Sequence, residues 1–168
     1  MAVTLTIPWA IHYIGGFLNL ADSSVLGKMF LPMHIGVFIT AMFYGWKEGL
    51  TIGLTAPLIS FMVTGMPVSA PFPMLQIMTI ELALYGLVTG LVYNYLKKRE
   101  NLKKYSQFMA ILSGMIIGRL GVALVLYFSI ISIKSPVFSF AINGIKTGII
   151  GILIQMILIP FVIKAYKK

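Results

Sequence analysis

The chain has 168 residues and a formal net charge of +9, yet 59% of its residues are hydrophobic and only 10% are charged, with a mean hydropathy of +0.97. A soluble domain carries about a quarter charged residues because its surface faces water, so this composition excludes a soluble globule and predicts a protein embedded in a lipid bilayer. The absence of cysteine excludes a disulfide framework and a thiolate site, and basic residues beside apolar runs indicate membrane orientation rather than nucleic-acid binding.

Six apolar runs, separated by glycine, proline or charged residues, predict six membrane-spanning helices in a single all-α domain over residues 1–168. The predicted spans are residues 2–15, 30–45, 49–65, 74–96, 106–129 and 138–163. The last three are long enough to cross a hydrocarbon core of ~30 Å. The second and third are marginal in length, and we expect a helical hairpin around the turn YGWKEG at residues 44–49.

The first span carries small residues every fourth position, at Ala2, Thr6 and Ala10. Helices approach closely in lipid along such faces, so this face either packs within the bundle or docks against another membrane subunit. The run lacks the basic flank and cleavage site of a signal peptide. Residues 15–28 and the proline-rich residues 64–73 are predicted to be loops at the outer face, either as lids or as simple connectors.

Basic residues are distributed unequally between the two sides of the predicted membrane. The loop KKRENLKK at 97–104 holds five, the tail from Lys164 three and the 44–49 turn one, whereas the opposite loops hold only Lys28 and Lys134. Cytoplasmic loops carry the excess of basic residues. We therefore expect a multi-pass protein of a bacterial cytoplasmic membrane with both termini and residues 97–104 in the cytoplasm.

Four ionisable residues lie inside predicted spans: His34, Glu81, Arg119 and Lys146. Such residues are costly in lipid and usually mark function. They come from four helices and all fall in the outer half of the bundle, which predicts a binding pocket open to the outside. Alternatively, Glu81 pairs with one of the two bases simply to neutralise buried charge. One acid against two bases leaves a positive charge that an anionic or hydrogen-bonding substrate would compensate.

Other candidate residues for this pocket follow from helical spacing. Met78 and Tyr85 lie three before and four after Glu81, so they share its helical face. Asn143 is a further candidate because it is nearer the outer end of its span than Gln155. With few possible metal ligands, no P-loop and no catalytic motif, we predict no metal, no cofactor and no enzymatic activity.

The stretch from residue 30 to residue 93 resembles the substrate-specific S components of energy-coupling factor (ECF) transporters, and the resemblance extends over nearly the whole chain. The motifs that carry it are PMHI at 32–35, the Gly45 and Gly49 pair, TGMP at 64–67, E-L-x-x-Y-G at 81–86, G-R-L at 118–120 and GIIGILIQMILIP at 148–160.

This resemblance implies a six-helix membrane subunit that captures a vitamin or vitamin precursor at the outer face. It also implies association with a transmembrane coupling subunit and two cytoplasmic ATPases, with Ala2, Thr6 and Ala10 as the docking face. Pantothenate, nicotinate, a pyridoxine-like compound and hydroxymethylpyrimidine all remain candidate substrates.

Two other functions are compatible with a small helical membrane protein. A self-sufficient channel or secondary carrier needs polar residues through the full depth of the membrane, whereas the inner halves of these spans are almost wholly apolar. A non-transporting assembly subunit explains the small residues but not four converging ionisable groups.

Overall fold

A computed structural model describes residues 32–65, 73–128 and 152–163, and every regular element within these ranges is an α-helix. The predicted first span, most of both outer loops and the first half of the predicted sixth span lie outside the described residues. The helices are α1 (Pro32–Phe43), α2 (Trp46–Thr64), α3 (Pro73–Leu96), α4 (Glu100–Lys103), α5 (Ser106–Tyr127) and α6 (Ile152–Ile163).

The turn between α1 and α2 is shorter than the predicted segment 44–49. It consists of Tyr44 and Gly45 only, because α2 already begins at Trp46. Gly45 reverses the chain with φ 119° and ψ −177°, a combination that is essentially restricted to glycine. The backbone N–H of Gly49 donates to the carbonyl of Gly45, so residues 46–49 form the first turn of α2.

Helix α3 is the centre of the described bundle and packs against α1, α2 and α5. Glycines allow its close contact with α2: a Cβ on Gly86 would overlap the backbone of Gly49, and a Cβ on Gly53 would overlap that of Leu82. The contacts run in opposite chain directions, so α2 and α3 are antiparallel. Helix α5 is likewise antiparallel to α3, since Gly114 lies beside Thr89 and Gly118 beside Tyr85.

The core of the bundle is apolar, and so is much of its outside. Phe38, Leu82 and Ile111 are fully buried, and α6 adds Ile159 and Ile163 to the same cluster. Large apolar side chains are exposed on the outer faces of the helices, among them Met62, Leu120 and Leu124. Exposed apolar surface of this kind is compatible with contact with a membrane.

Two helices in the described part of the chain are long and apolar enough to cross a membrane. They are Met74–Leu96 and Ser106–Tyr127. Met33–Phe43 and Ile152–Ile163 are apolar but shorter. The predicted fold class, an all-helical membrane bundle, is confirmed.

The connection from α3 to α5 holds the basic residues of the predicted cytoplasmic loop. The turn between α1 and α2 lies at the same end of the bundle, because a Cβ on Gly90 would meet Trp46 and one on Gly45 would lie 3.7 Å from the Asn94 side chain. We call this end, formed by residues 44–47 and 93–105, the basic end.

Candidate substrate-binding site

An ion pair lies inside the bundle, between the two long apolar helices. Arg119 Nε on α5 is 2.9 Å from Glu81 Oε1 on α3. Each residue is eight positions from the helix terminus that faces away from the basic end, which corresponds to a depth of ~12 Å. The two side chains are 24% and 8% exposed, respectively. The antiparallel packing of α3 and α5 therefore places opposite charges at one level.

The hydroxyl of Tyr85 extends this pair to a third polar group. It donates to Glu81 Oε1 over 2.5 Å, the same oxygen that faces Arg119 Nε. One carboxylate oxygen therefore contacts both Tyr85 and Arg119 and links α3 to α5 at this level.

Helix α1 supplies aromatic rings beside this polar group. The His34 and Tyr85 ring centroids are 5.1 Å apart with the planes tilted by 50°. On the same tyrosine, Phe38 stacks at 5.4 Å with an interplanar angle of 20°. All three rings are buried. Tyr85 is therefore fixed between α1 and α5 with its hydroxyl directed to the ion pair.

Two neighbours of this cluster were not predicted from the sequence. Gly118, next to Arg119, leaves the space that the Tyr85 ring occupies, because a Cβ there would overlap two ring carbons. Phe38 stacks on the other side of the group. The Gly114 and Gly118 pair, four apart beside an intramembrane arginine, is the sequence signal that could have indicated the first.

The structure brings together His34, Glu81, Tyr85 and Arg119, four of the predicted site residues. Met78 is half-buried and packs against the main core cluster. The remaining predictions, Lys146 and Asn143 for the substrate and Ala2, Thr6 and Ala10 for docking, lie outside the described residues. Gln155 on α6 is fully buried.

No group of three potential metal-ligating side chains exists in residues 32–65, 73–128 and 152–163. A shallow surface pocket lies near the basic end, well away from the ion pair. It is lined by Thr40, Tyr44, Lys47, Glu48, Thr51 and Ile52.

Apolar helices around a small ionisable and aromatic cluster are the features expected of a membrane protein that binds a solute. The family described as ECF transporter, substrate-specific component, matches residues 2–163. The chain therefore belongs to this family of transporter subunits, and the resemblance found in its sequence is confirmed. No curated protein and no solved structure matches it.

Membership gives the chain a general role. Members are integral membrane proteins that act as the substrate-specific subunits of ECF transporters. They bind a small molecule and associate with a transmembrane (T) component and ATPase subunits.

Proposed function

We propose that this subunit captures a vitamin or vitamin precursor at the outer face of a bacterial cytoplasmic membrane and delivers it to an ATP-driven ECF importer. The observation that carries the proposal is the ion pair between Glu81 and Arg119, joined by Tyr85 and enclosed by apolar helices. The family supplies the transport role, and the chemistry of this cluster supplies the site.

Neutralisation alone is a weak explanation of this ion pair. Removing two charges from water costs about as much as their attraction returns, so an apolar pair of similar volume would stabilise the bundle equally well. A carboxylate accepts several hydrogen bonds and a guanidinium donates five, and the Arg119 side chain is 24% exposed. A solute with both a donor and an acceptor satisfies both groups.

The aromatic groups and a second base suggest the chemistry of the solute. His34, Phe38 and Tyr85 form a compact aromatic wall, and aromatic walls with a few polar groups are the usual composition of small-molecule sites. Lys146, by its position in the sequence, adds a second base and favours an anionic or strongly hydrogen-bonding ligand. Pantothenate, nicotinate, a pyridoxine-like compound and hydroxymethylpyrimidine are the substrates we propose to test.

Capture from outside follows from the depth of the ion pair and the distribution of basic residues. Glu81 and Arg119 are ~12 Å from the terminus of each helix that faces away from the basic end. By the positive-inside rule the basic end is cytoplasmic, so the cluster belongs to the outer half of the membrane. Delivery then requires the partners, which we propose to be a coupling subunit docked on Ala2, Thr6 and Ala10 and two cytoplasmic ATPases.

The proposal is tested by thermal unfolding of the purified protein against a panel of vitamins and their precursors. We expect one compound to raise the unfolding temperature in a saturable way, and the Glu81→Gln and Arg119→Ala variants to lose that shift. Glu48→Gln, which removes an exposed carboxylate near the basic end, is the matched control and should keep it. Absence of a shift with every compound, or an equal shift in all variants, contradicts the proposed site.

A further inference from the structure

The basic end carries a cluster of exposed positive charge. Five basic side chains lie within residues 97–104, all of them exposed, and Glu100 is the single acid among them. In the described ranges none of the five has a carboxylate partner, since the ion pair there joins Arg119 and Glu81. A concentration of exposed cations in one short segment attracts groups of negative charge.

Several cations at the basic end lie close to aromatic rings. Arg99 lies 5.4 Å from the centroid of the Tyr95 ring, and its Nη2 donates to the Tyr95 hydroxyl over 3.2 Å. The other pairs at the basic end are Lys47 with Trp46 at 5.6 Å, Lys97 with Tyr93 at 5.5 Å and Lys104 with Tyr105 at 5.8 Å.

Tryptophan and tyrosine prefer the boundary between hydrocarbon and headgroups. Tyr95 and Tyr105 are 61% and 56% exposed, which suits this boundary. If the rings lie at this boundary, the cations beside them lie at the level of the lipid phosphates. Ammonium and guanidinium groups at that level are matched to phosphate oxygens.

We propose that the basic end binds the headgroups of anionic phospholipids in the leaflet that it faces, in preference to zwitterionic ones. The charge complementarity is direct, because an anionic headgroup carries a net negative charge, whereas the ammonium of a zwitterionic headgroup balances its phosphate. The site is separate from the Glu81 and Arg119 cluster, and it does not depend on which side of the membrane the basic end occupies.

The test uses Trp46 as a reporter inside the site. The chain has two tryptophans, Trp9 and Trp46, so the Trp9→Phe variant retains one at the basic end. This variant is reconstituted in phosphatidylcholine vesicles that contain equal fractions of either brominated phosphatidylglycerol or brominated phosphatidylcholine. We expect stronger quenching by the brominated phosphatidylglycerol, and a loss of the difference at about 1 M salt, where the screening length falls to ~3 Å.

Two further variants in the same background separate a lipid site from general surface charge. Lys103→Gln with Lys104→Gln should lower the preference for phosphatidylglycerol by about fivefold per charge. Glu100→Gln is the neighbouring control, because it removes a negative charge instead of a positive one. It should maintain or increase the preference for phosphatidylglycerol. All three side chains are exposed, and unfolding temperatures check that each variant is folded.

Equal quenching by the two lipids in the Trp9→Phe protein would overturn the proposal, as would an unchanged preference in the double lysine variant. If the lysine variant instead lost only its co-assembly with other transporter subunits, the basic end would be a protein contact and the lipid proposal would be wrong.

Discussion

Gly118 lies directly against the aromatic ring of Tyr85, with no room for even a methyl group between them. This contact joins the packing of α3 and α5 to the polar cluster, because the same tyrosine donates its hydroxyl hydrogen bond to Glu81. A residue without a side chain therefore determines where a site hydroxyl lies.

The first prediction concerns this contact. Gly118→Ala adds a methyl group where the Tyr85 ring lies, and the ring is buried, so the two helices or the ring must shift. We expect this shift to weaken ligand binding by about tenfold, equivalent to about 1.4 kcal/mol. Gly121→Ala on the same helix is the control, because its added Cβ would meet only the end of the flexible Leu84 side chain. Equilibrium binding to both purified variants checks the prediction, and equal affinities would contradict it.

The second prediction concerns the energetics of the ion pair. Glu81→Gln alone leaves the Arg119 charge without its partner inside the bundle, which should cost about 3–5 kcal/mol. Glu81→Gln combined with Arg119→Gln removes both charges and should be more stable than the Glu81→Gln single variant. Unfolding of the two single variants and the double variant in one detergent gives the coupling energy. Additive effects would show that the two side chains do not interact.

The third prediction concerns the turn between α1 and α2. Gly45→Ala should destabilise the protein by about 1–3 kcal/mol, because φ 119° with ψ −177° is strained for any residue with a Cβ. Gly65→Asn is the control, since its φ of 69° and ψ of 6° lie in the left-handed region that asparagine tolerates. Thermal unfolding of both variants measures the difference. A Gly45→Ala protein as stable as the Gly65→Asn protein would contradict the prediction.

The fourth prediction separates binding from transport. Changing Ala2, Thr6 and Ala10 to leucine should leave ligand affinity unchanged in the isolated subunit but abolish uptake with its partners, because bulky residues prevent close helix approach. Binding and uptake are measured on the same variant. If binding were lost as well, the face would belong to the packing of the subunit itself.

Much of the site could be predicted from the sequence, because ionisable residues are conspicuous in apolar runs. Glu81 and Arg119 were identified in this way, and Tyr85 followed from its helical spacing. The choice between Arg119 and Lys146 as the partner of Glu81 could not be made, since it depends on which helices are neighbours. Gly118 and Phe38 were missed for the same reason: their importance arises from contacts between helices that are distant in sequence.

For the fold as well, some helix bounds could be predicted from the sequence and others could not. Hydropathy predicted the long helices α3 and α5 closely. Hydropathy overestimated the length of the turn between α1 and α2. Lys47 and Glu48 suggested a polar loop, although both belong to the first turn of α2. A charged pair at the end of a bundle is compatible with either conformation, and the single residue Gly45 determines the reversal.

The most direct test of the central claim is native mass spectrometry of the protein after gentle purification, beside the Glu81→Gln, Arg119→Gln double variant prepared in the same way. We expect the natural sequence to carry a non-covalent ligand of vitamin size and the double variant to be empty, while both remain folded. A ligand retained equally by the double variant would contradict the site. An empty natural protein that also fails to bind any member of the vitamin panel would contradict the proposed function itself.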